Sequence, residues 1–364
     1  MTEGQSEPRS LPGGQGPRSS HLTVVADKSR SRFQVIGSGS SMYILVQWLD
    51  LFFAKRDFWT PIFPFFQQGL SYSVEMPLPL LPSLPPLPPP SKVEEYVATF
   101  FSRIHPIHPV LDQDMFYDSI EDLRSKLEAH PSALDSRDYP ALACSYAVFG
   151  IAADELEGQP TELGKYYLEG AYFLYAHLVA IPYVTSVQAL LLLTVALKNR
   201  NKDGASWETL GQAIRIAQSI GLHRHDWAMH RGSNLMNADS TDATQMEDLH
   251  SRIWWTAYIL ERAMELETGR PSAIRDSDCN QILPQPVLPP QSTDLSFDYF
   301  AALIGLARIQ NSINDLYRPR PHRRRTKDLL HQMGRLDRSL QDWAAGFPEE
   351  IRYAMYCAAS SETR

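Results

Sequence analysis

Histidines, carboxylates and arginines are where this chain of 364 residues could do chemistry. His105 and His108 form an H-x-x-H pair, but Pro106 and Pro109 break any helix that would present both imidazoles on one face. His223, His225 and His230 gather beside Asp226. A zinc site needs three or four ligands with a supporting outer shell, and a helix end accounts for His223 without a metal. Asp276 and Asp278 are the one carboxylate cluster to weigh for an all-helical enzyme, and the second aspartate pair of a diphosphate-binding helix is missing. No nucleophile elbow, H-E-x-x-H or P-loop occurs. The expectation is a non-catalytic chain with no metal ligands and no cofactor of its own.

The arginines carry a different chemistry. Arg215, Arg252, Arg262 and Arg270 sit on or beside apolar helices. An unpaired buried charge is very costly, so they need carboxylates or carbonyls. Glu208, Glu247, Asp248, Glu261, Glu265 and Asp276 are the candidates. One reading is an arginine pocket for an acidic effector. The preferred reading is structural ion pairing that fixes helix register. Trp254 and Trp255 are adjacent, so they point about 100° apart on a helix. One can enter the core while the other lies at a seam. Gly211, in mid-helix, costs about 1 kcal/mol in propensity, and the expected return is close approach of a neighbouring helix. The basic run RPRPHRRRTK, residues 318–327, fits a nuclear-localisation signal, a minor nucleic-acid patch or a solvated loop.

These residues need elements to hold them. Hydrophobic residues make up 43 % and charged residues 21 % of the chain, which is globular composition. The formal net charge is −8, so any DNA contact needs a separate basic module. Cys144, Cys279 and Cys357 are far apart, with no C-x-x-C pair, so neither a thiolate zinc site nor a disulfide framework can be read from them, which suits a reducing compartment. No apolar run approaches the roughly 20 residues of a membrane span, and the N-terminus has no secretory h-region.

Residues 1–32 are rich in Gly, Ser, Pro and Arg and read as a disordered tail. A pre-domain segment, 33–70, spaces Tyr43, Val46, Leu49 and Phe53 as a short amphipathic helix that must dock on something. Residues 71–92 form a Pro-rich linker containing MPLPLLPSLPPLPPP, suited to polyproline II. It is either a ligand for an SH3-like or WW-like groove or, preferably, a spacer whose leucines lie along the domain surface. Residues 93–345 alternate helical patterns with turn signals, and 346–364 form a tail. Thr161 fits an N-cap, Thr185 and Gln188 have capping-box spacing, and a surface loop falls at about 229–245. Gly221 with Leu222, and Gly269, fit helix ends. No convincing strand pair appears, so the fold class is all-α, with helical hairpins in one large domain. Trp207 to Ile214 nearly matches a tetratricopeptide start but does not recur.

Three stretches resemble the middle homology region of fungal binuclear zinc-cluster transcription factors, a xylanolytic-activator-like regulatory domain. YVATFFSRIHPIHPVLDQDMF, residues 96–116, looks like its opening helix and His-Pro … Pro-Val-Leu turn. WETLGQAIRIAQSIGLHRHD, residues 207–226, is similar to its Trp-x-x-x-Gly-x-Ala-x-Arg helix, with Trp207, Gly211, Arg215, Gly221, Leu222 and His223. EDLHSRIWWTAYILERAMELETGRPSAI, residues 247–274, resembles its Arg-x-Trp-Trp helix, with Arg252, Trp254, Trp255, Arg262, Gly269, Arg270 and Pro271. IGSGSS, residues 36–41, resembles a Gly-Ser motif upstream of that region. Ser251 stands where the family often has arginine, and Glu261 where it has aspartate.

The resemblance implies a nuclear regulatory domain that controls DNA-templated transcription by sensing an effector or partner. No six-cysteine cluster is present, so the two zinc ions and the DNA contact would belong to an absent or partner zinc-cluster module. A complete relative would continue past Cys357. The implied partners are a small-molecule effector, the transcription machinery or related factors, and no membrane. The alternative is a free-standing helical scaffold, or an antagonist of complete relatives, without DNA binding of its own.

Overall fold

A computed structural model of the chain describes residues 23–27, 32–36, 42–56, 84–129, 134, 135, 137–180, 182–225, 240–287, 297–317 and 326–352. Eleven α-helices lie among them, and the fold class is all-α as expected. Most of the N-terminal tail, the apolar stretch after Arg56, the first half of the Pro-rich segment, Asp226 and His230, most of the basic run, and Cys357 fall outside the described residues.

The chain order starts with α1 (Met42–Ala54), α2 (Pro90–Arg103), α3 (Gln113–Ala129) and α4 (Tyr139–Glu157). It continues with α5 (Glu162–Phe173), α6 (Tyr175–Ala180), α7 (Val184–Asn199) and α8 (Asp203–Ser219). The long α9 (Ser240–Thr268), α10 (Tyr299–Tyr317) and α11 (Thr326–Ala345) complete it. Helix α4 buries every residue from Leu142 to Ala153, and α7 every residue from Ser186 to Leu197. Helices apolar all round belong at the centre, and these two pack on each other. Helix α2 packs on α4, α5 on α4, and α8 on α7. Helix α9 packs on α8 and α7, and α10 packs between α9 and α11. No helix among the described residues is long and apolar enough to cross a membrane.

Local chemistry explains several boundaries. Thr161 caps α5, its hydroxyl accepting from the Gly164 amide at 2.8 Å. Gly221 closes the α8 region at φ +85°, with the Leu222 amide bonded back to Ala217 O at 2.9 Å. Gly269, at φ +68°, closes α9 through its amide to Glu265 O, and Pro271 cannot continue the helix.

Four expectations are corrected. An antiparallel hairpin pairs Thr23–Asp27 with Arg32–Ile36, Thr23 opposite Ile36, where no strand pair was expected. Its sequences, TVVAD and RFQVI, are rich in β-branched and aromatic residues that favour extended backbone. Thr185 does not cap α7; Tyr183 holds that position, and the Gln188 side chain reaches Val110 O instead. Helix α9 begins at Ser240, inside the expected surface loop. On α1, Val46 is buried but Leu49 is exposed, on the outer stripe with Leu45, Trp48 and Phe52.

Candidate functional site

Helix α9 carries two buried arginines that fasten distant segments to it. Arg252 lies one turn beyond Asp248 and bonds its carboxylate at 3.0 Å. Its Nη1 donates to Pro109 O at 3.3 Å and Leu111 O at 3.2 Å, in the His-Pro turn between α2 and α3. Gln188 takes the intervening carbonyl of Val110 at 2.7 Å. The three consecutive carbonyls of Pro109, Val110 and Leu111 are therefore held by side chains from α7 and α9. The other Asp248 oxygen accepts from the Gln285 amide at 2.6 Å, adding the segment after α9.

The second node is Arg262, fully buried. Its Nη1 donates to Glu265 Oε2 and Ser272 Oγ, each at 2.9 Å, and its Nη2 to Ile274 O at 3.2 Å and Asp276 Oδ1 at 2.7 Å. The guanidinium also lies over the Tyr258 ring, 4.8 Å from its centroid. Asp276 Oδ2 accepts from Asn311 of α10 at 2.8 Å and from the Tyr258 hydroxyl at 3.2 Å. Glu261 does not pair with an arginine across a seam; its Oε1 accepts from the Ala273 amide. Burial pushes its carboxyl up from the usual range.

The tryptophans divide as adjacent helical residues must. Trp254 is 1 % exposed, with the His223 ring 5.7 Å away. Trp255 lies at the seam: its Nε1 donates to Ile282 O at 2.7 Å and Arg308 of α10 stands over its ring. Ser251 is also fully buried, and its hydroxyl donates to Ile282 O at 2.6 Å at the position where the family pattern often has arginine. Arg270 covers the half-buried Trp207, 5.1 Å from the ring centroid, and so ties the end of α9 to α8.

Three expected residues stand apart. Arg215 is exposed. Gly211 shows no close approach of a neighbouring helix: the three atoms nearest a Cβ there all belong to the flexible guanidinium of Arg215, the first 3.3 Å away. That corrects the close-approach reading. Pro271 is exposed past the helix end.

Sequence reasoning missed a third node. Asp154, near the end of α4, accepts from the Thr161 amide at 2.7 Å and the Thr161 hydroxyl at 2.9 Å, and from Arg200 at 2.7 and 3.0 Å. Arg200 also donates to Thr161 O at 2.8 Å. Its sequence signal was acids at the end of α4 and basic residues at the end of α7, with nothing to say which of them pair.

His105 and His108 point inward. Burial lowers His105 and His108 to about 4, and His105 Nε2 meets Leu111 O at 2.9 Å. Among the described residues no three of His, Cys, Asp or Glu gather as metal ligands would. Cys144 is buried beside apolar neighbours, which pushes its thiol well above the usual range, and burial raises Cys279 to about 11. Cys144 and Cys279 are the two cysteines among the described residues, and neither gathers with two further His, Cys, Asp or Glu side chains as a zinc cluster requires.

A family model described as "Fungal specific transcription factor domain" matches residues 97–345. The "ABC-transporter-regulating transcription factor" of Aspergillus fumigatus is 31 % identical over 175 residues, covering 46 % of this chain and 18 % of the relative. The "Sorbicillinoid biosynthetic cluster transcription factor 2" of Penicillium rubens is 26 % identical over 280 residues, covering 71 % and 37 %. The "Negative regulator of pleiotropic drug resistance STB5" of Candida glabrata is 26 % identical over 213 residues, covering 56 % and 20 %. The chain thus spans well under half the length of these relatives. No solved structure matches it significantly.

Proposed function

The chain belongs to the fungal specific transcription factor domain family and is a regulatory domain of that kind, and from that premise we propose that it senses a small-molecule effector or protein partner. The signal passes as a population shift between two packings of α9 and α10. The observation that carries this reading is the pair of buried arginine nodes on one helix. Arg252 fastens the His-Pro turn, and Arg262 fastens residues 272–276 and, through Asp276, helix α10. A ligand that competes for one carbonyl or carboxylate in either node would free a segment while the α4 and α7 core stays intact.

No bond-making chemistry belongs to this proposal. The acids near the nodes, Asp248, Glu265 and Asp276, are engaged by Arg252 and Arg262, which supports a non-enzymatic role. A net charge of −8 supports DNA contact through a separate basic zinc-cluster module, where two zinc ions would sit, and action in the nucleus.

The test fuses the full chain to a heterologous DNA-binding domain driving a reporter in yeast nuclei. Asp276→Asn, which loosens the Arg262 node, is expected to change reporter output several-fold at equal protein level. Hydrogen exchange should show faster opening of residues 272–276 with α4 unaffected. Loosened exchange with unchanged reporter output would overturn the proposal.

A further inference from the structure

The Pro-rich segment ahead of α2 does not hang free. From Leu84 to Pro89 its exposure repeats every three residues: Pro85 and Pro88 are buried, Leu84 and Leu87 half-buried, Pro86 and Pro89 exposed. Three residues per turn is the period of polyproline II, and Pro89 has its dihedrals, φ −56° and ψ 152°. Such a helix has no internal hydrogen bonds, so its carbonyls need outside donors. Two are supplied three residues apart. The Tyr146 hydroxyl of α4 donates to Pro85 O, and Arg124 of α3 donates to Pro88 O at 2.8 Å. The Pro85 ring rests on Gly170 of α5, where an added Cβ would come within 2.7 Å of its Cγ and Cδ. Tyr167 flanks Tyr146, ring centroids 6.0 Å apart.

Tyrosine walls, a glycine floor for one proline ring and donors aimed at carbonyls on successive turns are the chemistry of aromatic grooves that read Pro-x-x-Pro segments. We propose that the groove walled by α3, α4 and α5 is a polyproline-reading site, held in cis by Leu84–Pro89 and open to a Leu-Pro-Pro segment of a partner when that strap is displaced. A tethered strap acts at an effective concentration in roughly the millimolar range, so a free segment competes only when the strap's own grip is weakened. The inference stands on the strap's contacts and is independent of the regulatory reading.

The experiment titrates a labelled peptide, Ser-Leu-Pro-Pro-Leu-Pro-Pro-Pro, into the full chain and follows fluorescence anisotropy. The P85A/P88A variant, its fold checked by circular dichroism and melting, is expected to bind at least about tenfold more tightly than the unaltered chain, because the cis competitor is weakened. Adding Tyr146→Phe to that variant should weaken binding several-fold. The inference is overturned if the folded variant fails to bind, if a peptide with alanine at every proline binds equally well, or if Tyr146→Phe has no effect. Should P85A/P88A not fold, the unaltered chain is titrated to millimolar peptide. Displacement must then accelerate hydrogen exchange of the Lys92 and Val93 amides, which bond to Pro89 O, and unchanged exchange overturns the inference.

Discussion

Arg262 Nη2 meets Asp276 Oδ1 at 2.7 Å, joining a guanidinium that is 1 % exposed to a carboxylate that is 49 % exposed. The pair is asymmetric, and its two halves should respond differently to substitution. Asp276→Asn leaves Arg262 with Glu265 and two neutral acceptors, and water can reach the altered side. Removing one partner of a buried pair costs roughly 3–5 kcal/mol, and solvent access with the remaining Glu265 should reduce this to about 1–2 kcal/mol. Arg262→Met strands Glu265 and Asp276 together and should reach the upper range, roughly 3–5 kcal/mol. Urea denaturation of both variants decides it. A larger loss for Asp276→Asn than for Arg262→Met would show that the node is not held by the buried guanidinium.

Arg252 works through shape as much as charge. One planar fork reaches Asp248 and two carbonyls more than a hundred residues away in sequence. Lysine offers a point charge and cannot span them. Arg252→Lys should therefore destabilise nearly as much as Arg252→Met, by about 2–3 kcal/mol. Hydrogen exchange should place the opening in residues 105–111, and full protection there in the lysine variant would refute the fork.

The elements were legible where one local rule decides. The apolar face Val93, Val97, Phe100, Phe101 and Ile104 is buried as its spacing predicts, and Gly221, Gly269 and Thr161 end or start helices as their chemistry requires. Arginine pairing was legible in kind: Asp248, Glu265 and Asp276 are the partners used. What could not be read were bonds set by tertiary placement. Gln188 has capping-box spacing to Thr185, yet a carbonyl 78 residues away claims its amide. Nothing local distinguishes those two uses. The Asp154–Arg200 node and the seat of Pro85 on Gly170 escaped for the same reason, since each needs separate helices already in place.

The tryptophans offer a graded comparison. Trp254 is fully buried, and its truncation to alanine should cost roughly 3–5 kcal/mol. Trp207 is half-buried under Arg270, a contact worth about 0.5–1 kcal/mol beyond area. Trp207→Ala should therefore cost less than half as much as Trp254→Ala in thermal or urea unfolding. Equal losses would show that Trp207 anchors the α8–α9 contact as strongly as Trp254 does.

Acid should weaken the fold before it titrates the carboxylates. His105 and His108 are lowered by burial from 6.5 to about 4, with Arg252 lowering His105 further and Asp112 and the Leu111 carbonyl opposing. Below pH 6.5 the unfolded chain binds protons at these two sites and the folded chain does not, so stability falls as pH drops toward 4. Each histidine contributes up to about 1.4 kcal/mol per pH unit across that window. His223 and His250, also lowered by burial, act in the same direction. Glu261, raised by burial, acts oppositely, its contribution being lost as pH rises above the usual carboxylate range. Urea midpoints at pH 7 and pH 5 should show a clear loss at pH 5. In a variant carrying both His105→Gln and His108→Gln, the amide introduced by the first change can still donate toward Leu111 O, and the loss should shrink markedly. An unchanged pH dependence in that variant would show that these imidazoles are not held neutral inside the turn that Arg252 closes.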